Sequence, residues 1–198
     1  SELYASSPNG LVFDDRPPYP VYVAQNIRSA PGQLRRYSPI LYPSGGSWGG
    51  CEDPRMVAIE GNVYVTYNLI ENWNMRVGYI TMSEEDFLAK RFYKWEGPYI
   101  ISYGLRHKNW VLFPQKFDGK FAVLHSIIAD TPEQVRVEYV DDLKTLQERT
   151  FESPDPQLAP DQAIAWHVHM RSAGPRPLKT DRGWLVLYHV HEASDPRY

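Results

Sequence analysis

One pattern limits the folds open to this chain more than any other: a hairpin signal that recurs three times at nearly even spacing. Met56 to Leu69 reads MVAIEGNVYVTYNL, two apolar, β-branched or aromatic runs around Glu60-Gly61-Asn62. Gln115 to Ile127 reads QKFDGKFAVLHSI around Asp118-Gly119, and Pro177 to His191 reads PLKTDRGWLVLYHVH around Asp181-Arg182-Gly183. Glycine supplies the positive φ that a tight turn requires, and the flanking alternation has the period of a strand. The three turn glycines are 58 and 64 residues apart. A repeat of that length, a hairpin followed by further strand-like residues, implies propeller blades of about four strands each. Third strands are expected over Arg76–Thr81 and Val135–Val140, each followed by an acidic turn, at Ser83–Asp86 and at Asp141-Asp142. Helical periodicity is weak throughout. A short helical turn fits residues Glu84 to Lys90, and Pro156 to Ala165 reads as a loop. The fold class expected is all-β, a β-propeller type present in part: two full blades plus two partial ones. Residues 1–198 then form a single, partial β-propeller domain, with Leu3–Phe13 as the second half of a blade and the segment after Gly174 as the start of another.

Composition agrees and removes several function classes. The 198 residues are enough for a sizeable core, and the formal charge of −3 comes with no basic block. Neither nucleic acid nor an anionic membrane is therefore an expected partner. The longest apolar runs, such as Trp184–Tyr188, are far too short to span a bilayer. The opening Ser1-Glu2-Leu3-Tyr4 has no leader-like pattern, and Cys51 is the sole cysteine, so a cytoplasmic location is the expectation. Aromatic residues reach 14%, with 14 Tyr and 6 Trp. Most fill a β core, and aromatic faces also stack on the C–H faces of sugar rings.

Polar clusters stand at the entrance of each hairpin. Cys51-Glu52-Asp53-Pro54-Arg55 opens the first, Lys108-Asn109 the second and Ala173-Gly174-Pro175-Arg176 the third. In a propeller the innermost strand of every blade lines the central channel, so three such clusters converge on one axis. Pro54 removes a backbone donor and restrains Asp53. On a regular strand Glu52 and Asp53 face opposite sides. Taken alone, any one of these clusters reads as a surface turn with an ion pair.

Taken in order, Cys51–Arg55, Lys108-Asn109 with Leu112-Phe113-Pro114 and Leu124-His125, and Ala173–Pro175 with Lys179-Thr180, Gly183–Leu185 and Tyr188-His189 resemble the motifs of glycoside hydrolase family 130. The resemblance runs from about Leu3 to His191. It implies a five-bladed β-propeller that cleaves β-mannosides, either with inorganic phosphate or with water, by an inverting mechanism. It also implies that the chain begins inside a first blade and ends inside a fourth. By motif, Asp53 takes the role of general acid. Arg55, Lys108, Asn109, His125, Arg171 and His189 take substrate- or phosphate-binding positions. No cofactor or metal is implied.

The phosphorylase branch of the family usually carries a cation before the Asn, directly after the His of Leu-His, and three residues before the Ala of Ala-Gly. Here those positions hold Lys108, Ser126 and Met170. Arg171 is adjacent, but alternation along a regular strand turns it away from Met170. Two missing cations shift the expectation to hydrolysis, with β-mannoside phosphorolysis as the alternative. Glu192, Asp195 and Asp161 are the candidate bases for activating water. His167-x-His169 and His189-x-His191 have a spacing that suits a metal, yet no Cys or paired carboxylate accompanies them. Hydrogen bonding to sugar or phosphate fits His189 better. The expected partners are an oligosaccharide substrate, inorganic phosphate in the phosphorolytic reading, and a homo-oligomer covering open propeller edges. A non-catalytic carbohydrate-binding propeller fragment is the reading from another class. An arabinan- or fructan-type five-bladed enzyme would need a carboxylate in each of three blades, which the second and third clusters lack.

Overall fold

The computed structural model describes residues 2–22, 50–71, 74–102, 107–127, 134–148 and 170–190; for some of these, including Ser126, Met170, Arg171 and His189, only the backbone is described. The first sheet has four strands in sequential order: β1 (Gly50–Ile59), β2 (Asn62–Glu71), β3 (Asn74–Ser83) and β4 (Glu96–Ile100). The second has three, β5 (Val111–Phe117), β6 (Lys120–Ile127) and β7 (Gln134–Val140). The third hairpin is split into two pairs. Strand β8 (Met170–Ala173) pairs with β11 (Tyr188–Val190), and β9 (Leu178–Thr180) pairs with β10 (Gly183–Leu185). At the N-terminal end, antiparallel bridges Glu2↔Tyr22 and Ser6↔Asp15 form a loose pair, as expected of the later part of a blade.

Local chemistry accounts for the elements. Glu60 and Gly61 have φ of 50° and 76°, and Asp118 and Gly119 have 49° and 78°. Positive φ at both central positions is the turn geometry whose twist matches a hairpin. The expected third strands are β3 and β7. The expected helical turn is α1 (Glu84–Leu88), where the Ser83 hydroxyl accepts from the Asp86 N–H at 3.1 Å. Among the described residues the second blade shows three strands, and the loop expected at Pro156–Ala165 lies outside them.

Alternation along the strands then packs sheet on sheet. On β5, Leu112 joins the layer shared with the first sheet, whereas Val111 and Phe113 join the layer shared with the third hairpin. On β6, Phe121 and Val123 go to the first layer, Ala122 and Leu124 to the second. Both faces of β5 and β6 are thus buried over Val111–Phe113 and Phe121–Leu124, which is why these stretches read as continuous apolar runs, whereas β7 keeps Val137 and Tyr139 exposed. The first layer, with Val57, Val77, Ile101, Trp110 and Leu146 all at 2% exposure or less, is the main core. Each such side chain contributes about 1.5–3 kcal/mol by burial. On its other face the first sheet buries Val63, Val65, Tyr67 and Ile80 against Tyr22, Phe87 and Trp95. Sheets stacked in chain order, each sharing a layer with the next, are consecutive propeller blades. Among the described residues no helix is long and apolar enough to cross a membrane.

Candidate active site

Each hairpin loses its regular register where a proline interrupts the inner strand. Ile59↔Asn62 to Arg55↔Thr66 form an unbroken ladder, but the next pair is Glu52↔Asn68, so Asp53 and Pro54 bulge opposite Tyr67. In the second hairpin the slip lies between Leu112 and Lys116, around Pro114. In the third, Gly174–Pro177 separates β8 from β9. Proline has no N–H for the ladder and is accommodated at such bulges. The expected strand starts need correction on this point. Asp53 lies within β1, and Gly174 follows β8, because the inner strands begin before the proline and not after it.

The bulge gives Asp53 a φ of 54°, and Asn109, just ahead of β5, has 62°. Asp and Asn are the non-glycine residues that tolerate this left-handed region best. Between them stands Asn68 of β2, 1% exposed. Its Nδ2 donates to Asp53 Oδ2 at 3.1 Å and to Asn109 Oδ1 at 2.9 Å, and its Oδ1 accepts from the Asn109 backbone N–H at 2.7 Å. Arg55 joins the third hairpin to this group. Its Nε donates to the Gly174 carbonyl at 2.8 Å, its Nη2 to the Ala173 carbonyl at 3.5 Å and its Nη1 to the Asp53 carbonyl at 2.7 Å. Burial pushes the Arg55 guanidinium below its ordinary range, and the neighbouring Asp53 charge opposes that shift. A guanidinium has five N–H donors, so this clasp and an anion contact can coexist.

The polar clusters of all three hairpins therefore meet, and Asp53 and Asn109 share one side chain. Lys108 is half-buried beside Asn109. His125 of β6 is 1% exposed, its ring 4.6 Å from that of Trp110 and its Nε2 3.9 Å from Glu138 Oε1. Thr66 ties this second sheet to the first by donating to the Trp110 carbonyl at 2.9 Å. Arg171 and His189 are placed by backbone only, on the paired strands β8 and β11. Register shifts there too: His189 pairs with Ser172 but Val190 with Met170, so Arg171 is an inserted residue. The alternation that would separate Arg171 from Met170 holds for a regular strand and does not apply at a bulge. His167, His169, His191, Asp161, Glu192 and Asp195 lie outside the described residues.

Two residues escaped the sequence reading. Asn68 was legible in principle, since counting back from the Glu60-Gly61 turn sets a regular partner of Asp53 at that position. Glu2 was not. It is 8% exposed and reaches the site only through the fold, and burial raises its carboxyl pKa, with the charges of Asp53 and Glu52 adding to the shift.

Blades stacked in chain order, with their interrupted inner strands gathered around one carboxylate, define the β-propeller class. The chain belongs to glycoside hydrolase family 130, whose model, described as beta-1,4-mannooligosaccharide phosphorylase, matches residues 37–198. A 1,2-beta-oligomannan phosphorylase from a Thermoanaerobacter species is 28% identical over 152 residues, covering 74% of this chain and 44% of the relative. A beta-1,4-mannooligosaccharide phosphorylase from Ruminococcus albus is 30% identical over 145 residues, covering 72% and 39%. The chain thus spans less than half the length of these curated relatives. Among solved structures, a beta-1,2-mannobiose phosphorylase from Listeria innocua in complex with beta-1,2-mannobiose superposes with a TM-score of 0.63 at 19% identity, covering 96% of this chain and 45% of that one. A glycosyl hydrolase from Bacteroides ovatus gives 0.58 at 19% identity, covering 99% and 54%. At such identities the structural likeness speaks for the fold alone.

Proposed function

We propose that this chain carries part of the active site of a β-mannoside phosphorylase, with Asp53 as general acid. The observation that carries the reading is the meeting of Asp53, Asn68 and Asn109, fastened to the third hairpin by Arg55. A carboxyl group at the inner end of a blade, surrounded by basic and amide donors, suits an inverting displacement. Asp53 donates a proton to the leaving glycosidic oxygen as the anomeric C–O bond breaks. A phosphate oxygen forms the new bond from the opposite face, giving mannose 1-phosphate with inverted configuration. Arg55, Lys108, Asn109, Arg171 and His189 are the proposed sugar and phosphate contacts, and His125 supports the strand beside them.

Hydrolysis, expected from Ser126 and Met170, is the weaker reading. The family model and both curated relatives are described as phosphorylases. The bulge at Arg171 also removes the argument that kept this cation out of the site. Exposed Leu178, Leu185 and Leu187 mark apolar surface on the third hairpin, and a homo-oligomer covering it belongs to the same proposal. The test is product analysis with a β-mannooligosaccharide, with and without millimolar phosphate, in the intact protein. Mannose 1-phosphate as the main product is expected. Free mannose released at the same rate without phosphate overturns phosphorolysis in favour of hydrolysis.

A further inference from the structure

We infer that Asn68 is a positioning residue that decides which oxygen of Asp53 carries the proton; the inference rests on the reading of Asp53 as general acid. Asn68 is buried in β2, with β1 and β3 on either side. Its orientation is settled by chemistry. The Asn109 backbone N–H can only donate, so the atom 2.7 Å away is the Asn68 oxygen. That leaves Nδ2 with two hydrogens, one aimed at Asn109 Oδ1 and one at Asp53 Oδ2. A donor facing Oδ2 pairs with it as an ionised or carbonyl oxygen and opposes an O–H there. When Asp53 is protonated, the hydrogen therefore sits on Oδ1, the oxygen turned away from Asn68.

The arrangement does two things for a general acid. It selects one of two equivalent oxygens as the donor, and it restrains rotation of a carboxyl group that is itself exposed. It also orients Asn109, because an Asn109 Oδ1 bound to Asn68 turns the Asn109 amide donors away from Asn68. One buried amide thereby couples the acid of the first blade to the binding residue of the second. Loss of Asn68 would leave the proton shared between both oxygens and the carboxyl free to turn, while the substrate pocket kept its other walls. The predicted signature is a fall in kcat that depends on the leaving group, with any rise in KM from a loosened Asn109 common to all substrates.

The experiment compares two substrates in the intact protein with phosphate present. A β-mannooligosaccharide needs its leaving oxygen protonated, whereas 4-nitrophenyl β-mannoside expels a stable nitrophenolate. Asn68→Leu is expected to lower kcat on the oligosaccharide by about 10- to 100-fold, up to the lower end of what a general acid contributes, and on the aryl mannoside by less than about threefold. Asp53→Asn should show the same substrate dependence with a larger loss. An equal fall on both substrates, or no fall on either, overturns the role given to Asn68. Should Asn68→Leu fail to fold, as judged by circular dichroism and thermal melting, Asn68→Ala takes its place. That variant removes both donors without adding a charge beside Asp53 and leaves room for a water to meet the Asn109 N–H. If Asp53→Asn retains wild-type rates, the acid assignment itself fails and Asn68 has nothing to position. If Asp53→Asn shows the leaving-group dependence and neither Asn68 variant does, the Asn68 inference alone falls.

Discussion

The two ends of the β1–β2 hairpin are made from the same pair of strands and obey different rules. At the outer end Ile59 pairs with Asn62 across a two-residue turn, and a Cβ built on Gly61 meets nothing within 4 Å. Its turn is closed by contacts short in sequence, such as Asn62 Nδ2 donating to the Glu60 carbonyl at 3.3 Å. Its longer ties, Lys116 Nζ to Glu60 Oε2 at 2.8 Å and the Glu84 N–H to the Gly61 carbonyl at 2.8 Å, are made where Glu60 and Gly61 are exposed. At the inner end the ladder slips at Asp53-Pro54, and the polar groups find partners far along the chain. Asn68 bonds Asn109, and Arg55 bonds Gly174. The outer end is set by local conformational preference. The inner end is over-determined by three blades at once, which is what holds a left-handed Asp53 in place at a local cost of order 1–2 kcal/mol.

The sharpest way to test this contrast is Asp53→Asn, which keeps the shape and hydrogen-bond capacity of the inner end but cannot deliver a proton. Turnover of a β-mannooligosaccharide should fall by about 10³-fold or more, near 4 kcal/mol in barrier, with the melting temperature almost unchanged. A large drop in melting temperature would mean that the carboxylate holds the blades together and that the loss of activity says little about chemistry. Next in size is Arg55→Met. It removes the donors to the Ala173, Gly174 and Asp53 carbonyls but retains much of the side-chain volume. With bonds to a charged donor contributing about 1.5–3 kcal/mol each before non-additivity, urea unfolding should show a loss of about 2–4 kcal/mol. An unchanged midpoint would show that the third hairpin docks by its apolar layer alone. The smallest effect belongs to the outer end. Gly61→Ala places a Cβ at φ 76°, with open space around it, so strain is the only cost. About 1 kcal/mol of stability should be lost and kcat left within twofold of wild type. A larger change in kcat would break the separation between the two ends.

How much was legible in the sequence follows the same division. Turns at Glu60-Gly61, Asp118-Gly119 and near Gly183, the third strands β3 and β7, and the helical turn after Ser83 all depend on neighbours within a few residues. Their residue types report them directly. The convergence of Asp53 with Asn109 was expected from the matching position of each in its hairpin, and the structure brings them onto one side chain. Alternation was pressed furthest at the places where the strands are irregular. Glu52 versus Asp53 and Met170 versus Arg171 were argued as neighbours on regular strands, and both pairs lie at bulges. A single-residue slip reverses facing, so an argument from parity is lost wherever the register shifts.

By itself, then, the sequence determined the repeat, the hairpins and the all-β class, because these follow from period and turn chemistry, and its motif supplied Asp53 as the acid proposed above. Only the tertiary structure decided which polar residues share a hydrogen bond, that Asn68 stands between Asp53 and Asn109, and that Arg55 reaches the third hairpin. Those contacts join residues 15 to 119 positions apart. No local preference encodes such distances; they are set when the apolar layers between blades close and the inner ends are left with one another as partners.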